Sequence, residues 1–172
     1  LLIGFGVGNT ASAIAEHDSI ERIDVVDLNR KVFETAPEFR RWNADVIHDP
    51  RVRLIVESIP GALERRPIHP RTCIVIVTRG HQNDQRALEA VIHSEAGYIG
   101  LIGSQRKRTL IYEDLLRRGV ARERLDRVHS PIGLAIGAVT VPEIAVSIAA
   151  ELVQHRRQRL PRLVEGPFDL AE

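Results

Sequence analysis

Along this chain, short continuous apolar runs alternate with stretches whose apolar residues recur at helical spacing. Leu1-Leu2-Ile3-Gly4 is an apolar run closed by glycine and reads as a first strand. From Asn9 to His17 the residues Ala11, Ile14 and Ala15 share one helical face. Ile23–Leu28 reads as a second strand, and Lys31–Trp42 as a less regular helix disturbed by Pro37. Asp49-Pro50 marks a turn before a third strand, Val52–Val56. Ile59–Arg66 is a short helix or turn, and Pro67 and Pro70 bracket a loop. Cys73–Val77 is the strongest strand pattern in the chain. Asp84–His93 follows as an amphipathic helix with Ala87, Leu88, Val91 and Ile92 inward. Tyr98–Ile102 is a fifth strand, Arg106–Arg118 a helix stopped by Gly119, and Arg122–Val128 a short helical piece. Ser130–Ala138 is a loop of glycine and proline. Thr140-Val141-Pro142-Glu143 forms a capping box for a final helix ending near Arg157. The tail from Arg159 onward, with Pro161 and Pro167, is expected to be loosely ordered.

Strands that alternate with helices, most of them apolar on both faces, predict an α/β fold with a doubly wound parallel sheet. The expectation is one Rossmann-like domain over residues 1–158, and 172 residues suit one such core. With 44% hydrophobic residues the chain does not read as disordered. Its longest apolar runs are strand length, so no membrane-spanning helix is expected. No basic segment followed by an apolar stretch opens the chain, so no secretory signal is read. The single cysteine, Cys73, rules out an internal disulfide and a cysteine-based zinc site, and fits a reducing cytoplasm. A net charge of +1 provides no field for nucleic acid or an acidic membrane. The chain has no methionine and its first residues already read as a buried strand, so it is expected to be part of something longer.

Gly4-Phe5-Gly6-Val7-Gly8 follows a strand and opens a helix at Asn9. Glycine lets the backbone turn tightly and approach a ligand, and the helix start offers free amides. Asp27 ends the second strand, where a carboxylate can accept both hydroxyls of a ribose. These residues could hold an adenosine-containing nucleotide of the NAD or S-adenosylmethionine type, or form a tight turn with no ligand. Asp27 argues against a 2′-phosphate by charge repulsion, although Arg30 stands nearby.

After the fourth strand come Thr78-Arg79-Gly80-His81 and Asp84, in the crevice where doubly wound sheets bind ligands. His81 could bind metal or carry a proton with Asp84 to orient it. Alternatively Asp84 caps the next helix and His81 is a loop residue in solvent. After the fifth strand, Gly103 and Ser104 precede Arg106 and Lys107. Free amides, a hydroxyl and two cations there form either an anion site or a solvated basic turn. Both side chains are expected at the surface. The His129–Ala138 loop could close over a flat cofactor or pack on the sheet.

Two family resemblances attach to these runs. Leu2–Thr10, Ile23–Leu28 and His48–Val56 resemble the spermidine/spermine synthase family, over roughly residues 1–56. In that family the glycine loop and the acid matching Asp27 are implied to hold decarboxylated S-adenosylmethionine. Arg79 and His81 stand where that family needs acids, which argues against aminopropyl transfer. Tyr98–Ser104 with Arg106-Lys107, His129–Leu134 and Thr140–Ser147 are similar to the Rossmann domain of the XdhC/CoxF family of xanthine dehydrogenase accessory proteins, over about residues 57–157. That resemblance implies a cytoplasmic accessory protein that handles molybdenum cofactor, a molybdopterin, for a xanthine dehydrogenase-like molybdenum hydroxylase. It leaves room for a homodimer, and leans away from an enzyme. Ala135 stands where that family usually has an acid, and its separate N-terminal domain is not seen. The meeting of the two resemblances near Val56-Glu57 points to recombination between two halves of a doubly wound sheet. The competing functional class is an S-adenosylmethionine-type transferase.

Overall fold

β-Branched residues dominate the strands and leave most of them apolar on both faces, so those strands must be covered on two sides. The computed structural model, which describes residues 1–159, shows how. Six strands form one parallel sheet: β1 (Leu2–Ile3), β2 (Ile23–Asp27), β3 (Val52–Val56), β4 (Cys73–Ile76), β5 (Tyr98–Leu101) and β6 (Val128–His129). Their spatial order is β3-β2-β1-β4-β5-β6. β1 lies at the centre, with Leu2 opposite both Val25 and Val75 and Ile3 opposite both Val26 and Ile76.

Alternation along each strand divides the core in two. Ile3, Ile74, Ile76, Ile99 and Leu101 pack on one face. They meet helices α4 (Ile59–Glu64), α5 (His81–Val91) and α6 (Gln105–Arg117) and the short α7 (Arg122–Asp126). Leu2, Val25, Val75 and Tyr98 pack on the other. There they meet α1 (Asn9–Ala15), α2 (Arg30–Glu34) and α8 (Val141–Arg159), with α1 also against α3 (Arg40–Asn43). Burying an Ile or Leu side chain stabilises by about 1.5–3 kcal/mol, so this double core is the main source of stability.

Four boundaries differ from the sequence expectation. The helix expected over Lys31–Trp42 breaks into α2, a tight turn at Ala36–Phe39 and α3, because Pro37 has no amide to donate and its ring crowds the preceding turn. The fourth helix begins at His81, capped by Gly80 at φ +90°, so Asp84 is not its cap. Val128 belongs to β6, which is too short for any period to be visible. α8 runs to Arg159, and the rest of the expected tail lies outside the described residues.

Candidate functional site

The chain leaves β1 toward β2 on one side and reaches β4 on the other, so the loops after β1 and β4 diverge at the carboxyl edge of the sheet. All the residues singled out from the sequence lie at this edge. The glycines of the first loop do different work. A Cβ on Gly4 would lie 2.9 Å from the Val77 carbonyl oxygen, and one on Gly8 2.7 Å from the Asn43 Cβ, both at φ +92°. Packing therefore demands glycine at these two positions. Gly6 is exposed, and a Cβ there would meet nothing within 4 Å. The open face of the loop is at Gly6.

Asp27, at the end of β2, ties the loop down. Its Oδ2 accepts from the Phe5 amide at 3.1 Å and its Oδ1 from the Asn29 amide at 2.9 Å. A carboxylate has about four acceptor positions. Two backbone donors leave capacity for ligand hydroxyls. Asn9 is the first residue of α1 and is buried.

The second group gathers around Asp84, which is fully buried in the first turn of α5. One carboxylate oxygen accepts from the Thr78 hydroxyl and the other pairs with the Lys107 ammonium. Asp84 thus clamps the loop after β4 to the start of α6, and it does not orient His81, which is exposed at the first position of α5. The expectation that both cations lie free at the surface is corrected for Lys107. Its side chain is 25% exposed and its charge is opposed by Asp84. A Cβ on Gly103 would lie 2.9 Å from the Lys107 Cδ, so the bare glycine makes room for that stem. Ser104 caps α6, its hydroxyl oxygen accepting from the Lys107 amide at 3.2 Å. Arg108 folds over the Tyr112 ring at 5.0 Å. Arg106 remains exposed, as does Arg79 on the neighbouring loop.

Asn43, which is buried, and Glu151, which is partly buried, were not singled out from the sequence. Asn43, fully buried, donates to the Val7 and Ala36 carbonyls at 3.1 and 2.9 Å and accepts from the Asp45 amide at 2.9 Å. It joins the glycine loop to the segment after β2. Glu151, an acid within an apolar stretch of α8, accepts from the Tyr98 hydroxyl at 2.7 Å and the Gly133 amide at 2.6 Å, and meets His129 Nδ1 at 2.9 Å. Burial pushes the Glu151 carboxyl up, but the Tyr98, Gly133 and His129 bonds outweigh it and hold it below the usual carboxylate range. Burial, with Glu151 beside it, pushes the Tyr98 phenol far up. The Gly133 bond, with Ile132 donating to the Leu101 carbonyl at 3.0 Å, seats the first part of the 130–138 loop on the sheet. That acid among Ala149, Ala150 and Leu152 was the available signal.

Two surface cavities accompany these groups. One of about 380 Å³ lies between the end of α1 and Asp45–Arg51, at the opposite edge of the sheet from the glycine loop. The other, about 320 Å³, lies beside the glycine loop and is walled by Val7, Asn9, Phe39, Trp42, Val141 and Pro142. Among the described residues no group of three or more His, Cys, Asp or Glu is placed to hold a metal ion, and no helix is long and apolar enough to cross a membrane.

Known proteins match this arrangement along nearly its whole length. The uncharacterized protein YqeB of Escherichia coli (strain K12) is 33% identical over 155 residues, which is 89% of this chain and 27% of YqeB. A crystal structure described as a xanthine dehydrogenase from Bacillus halodurans superposes with a TM-score of 0.65 at 29% identity, over 92% of this chain and 43% of that one. The chain therefore spans about a quarter of one relative and less than half of the other. Polyamine aminopropyltransferase 2 of Pseudomonas aeruginosa is 37% identical, but over 68 residues, 39% of this chain. The family model of the XdhC Rossmann domain matches residues 2–152, on both sides of Val56-Glu57. With that match laid over a sheet in the order β3-β2-β1-β4-β5-β6, the chain belongs to the XdhC Rossmann-domain family.

Proposed function

We propose that this chain is the cofactor-binding Rossmann domain of an accessory protein that helps a xanthine dehydrogenase-like molybdenum hydroxylase mature in the cytoplasm. The observation that carries the reading is the glycine loop at the switch point, open at Gly6 and flanked by Asp27 with acceptor capacity to spare. The family match and the xanthine dehydrogenase name of the Bacillus halodurans relative support the partner class.

On this reading the ligand is an adenosine-containing nucleotide or a molybdopterin, the latter as cargo for the partner enzyme. The residues present fit either. Asp27 suits hydroxyls, the loop after β1 leaves backbone within reach, and the exposed Arg79 and Arg106 suit phosphate. Lys107 adds less than its charge suggests, because Asp84 opposes it. The competing transferase reading rests on the glycine loop and the short aminopropyltransferase match. It needs a free carboxylate after β4 to hold an amine, and Asp84 there is buried between Thr78 and Lys107.

Calorimetric titration with NAD, S-adenosylmethionine and a molybdopterin tests the proposal. Saturable binding of at least one, weakened in Asp27→Ala, is the expected result. Absence of binding by all three refutes it.

A further inference from the structure

We propose that the carboxyl edge of the sheet is a docking face for the enzyme that receives the ligand, whose matching surface is apolar with carboxylates around it; this rests on reading the chain as an accessory protein. Eight large apolar side chains are exposed among the described residues, and six of them stand at this edge. Leu28, 70% exposed, follows β2, and Val56 ends the neighbouring β3. Trp42 and Val141 wall the cavity beside the glycine loop. Ile136 and Val139, the latter 84% exposed, lie on the loop that leads into α8. The other two, Leu110 and Val146, lie within α6 and α8. Exposed apolar residues scattered singly need no explanation, but a gathering of them at one edge marks an interaction site.

Charge selects the occupant. The acids on the strand ends and the segments that follow them are committed to bonds within the chain. Asp27 takes the Phe5 and Asn29 amides, and Glu57 the Arg65 and Arg66 guanidinium groups. Asp84 takes Thr78 and Lys107, and Glu143 the Val139 and Thr140 amides. The cations Arg30, Lys31, Arg79 and Arg106 are all exposed, and among the described residues none of them pairs with a carboxylate. What the edge has left to offer a partner is positive charge and apolar surface. A second copy fits this poorly, because a two-fold interface applies one patch to itself and brings these cations against their own images. A protein surface with carboxylates around an apolar centre meets both features. Position supplies an independent reason. A ligand on the glycine loop and Asp27 lies outside the carboxyl ends of the strands and leaves through this edge. An enzyme docked on any other side would receive it only after its release into solvent.

The test measures binding of the chain to the cofactor-free xanthine dehydrogenase-like molybdenum hydroxylase of the same organism, by biolayer interferometry at low and at raised salt. Two edge variants are compared, Leu28→Asp and the double variant Arg30→Glu with Lys31→Glu. The control is Arg71→Glu with Arg122→Glu, two exposed residues before β4 and at the start of α7, at the opposite edge of the sheet. It changes net charge by the same amount. Wild-type binding should weaken as salt rises. The charge-reversed edge variant should bind about tenfold more weakly, chiefly through slower association, and Leu28→Asp about tenfold more weakly, chiefly through faster dissociation. The control should stay within about twofold of wild type. All these side chains are exposed, so circular dichroism should show every variant folded, and the two edge variants test the face independently. If both edge variants bind as the control does, the docking face falls and the accessory reading stands. If the wild type does not bind the hydroxylase, the partner reading falls and takes this inference with it. If the edge variants instead abolish binding to phosphatidylserine vesicles, or dissociate a dimer of the chain, and leave the hydroxylase unaffected, the occupant is a membrane or a second copy and the proposal is overturned.

Discussion

Replacing Lys107 by methionine tests whether its charge belongs to the fold or to a ligand. Asp84 has no exposed surface, and its two carboxylate oxygens are met by the Thr78 hydroxyl and the Lys107 ammonium. Lys107→Met keeps an unbranched apolar stem under the Gly103 backbone but leaves a buried carboxylate with one neutral donor. Removing one partner of a buried pair costs about 3–5 kcal/mol, against about 5–15 kcal/mol for a whole domain. For a chain of this size each kcal/mol moves the melting temperature by about 2–4 °C, so a fall of roughly 6–20 °C is expected. Asp84→Asn with Lys107→Met should recover most of it, because the uncharged amide still bonds Thr78 and no ion is stranded. Urea unfolding of the wild type, both single variants and the double variant, followed by circular dichroism at neutral pH, yields the coupling energy. Arg106→Ala is the control. That side chain is exposed and should change stability by no more than about 0.5 kcal/mol. If Lys107→Met also stays within about 0.5 kcal/mol and shows no coupling to Asp84, the pair is not formed in solution and Lys107 is a free crevice cation.

Asp27→Ala should weaken an adenosine-containing ligand by about 1–3 kcal/mol, and equal affinity by calorimetry would remove Asp27 from the site. Gly6→Ala should cost about 1–2 kcal/mol of stability, the strain of a positive φ alone. Gly8→Ala should cost clearly more, since its Cβ also meets Asn43 and Phe5; similar urea midpoints for the two would contradict the packing argument. Stability should fall on acidification in two stages. Burial, with Arg159 and His129 nearby, holds His155 below its ordinary 6.5. Its contribution is full above pH 6.5 and is lost as pH falls toward the folded value, because the unfolded state binds the proton first. Glu151, held below its ordinary 4.5, contributes above that pH and loses the contribution as pH falls through its folded value. A melting temperature that stays flat from about pH 7.5 to about pH 5 would speak against the first stage, which His155→Gln should remove. Incubation with putrescine and decarboxylated S-adenosylmethionine should yield no aminopropyl transfer above a buffer control, given the sequestered Asp84.

Local pattern along the chain was enough to determine the strands other than β6, the parallel sheet and the place of the glycine loop. These follow from the two-residue and 3.6-residue periods and from backbone demands that act within a few residues. Asp27 was legible for the same reason, because the end of β2 and the loop after β1 are brought together by strand pairing that the pattern implies. Tertiary structure alone decided which polar groups meet. Asp84 lies 23 residues from Lys107, and Tyr98 lies 53 from Glu151. Nothing in either neighbourhood distinguishes a clamped lysine from a free one, so the Arg106-Lys107 pair read as two equal cations until the buried carboxylate divided them. Pro37 announced the break, but the sequence did not show that Asn43 ties the broken segment to the glycine loop through its bonds to Val7 and Ala36. The cavity beside the glycine loop is assembled from three segments that only the packed sheet and α8 bring together. Period and turn chemistry are properties of a stretch of chain, whereas the partner of a buried polar group is chosen by whichever distant element the fold places within about 3 Å of it.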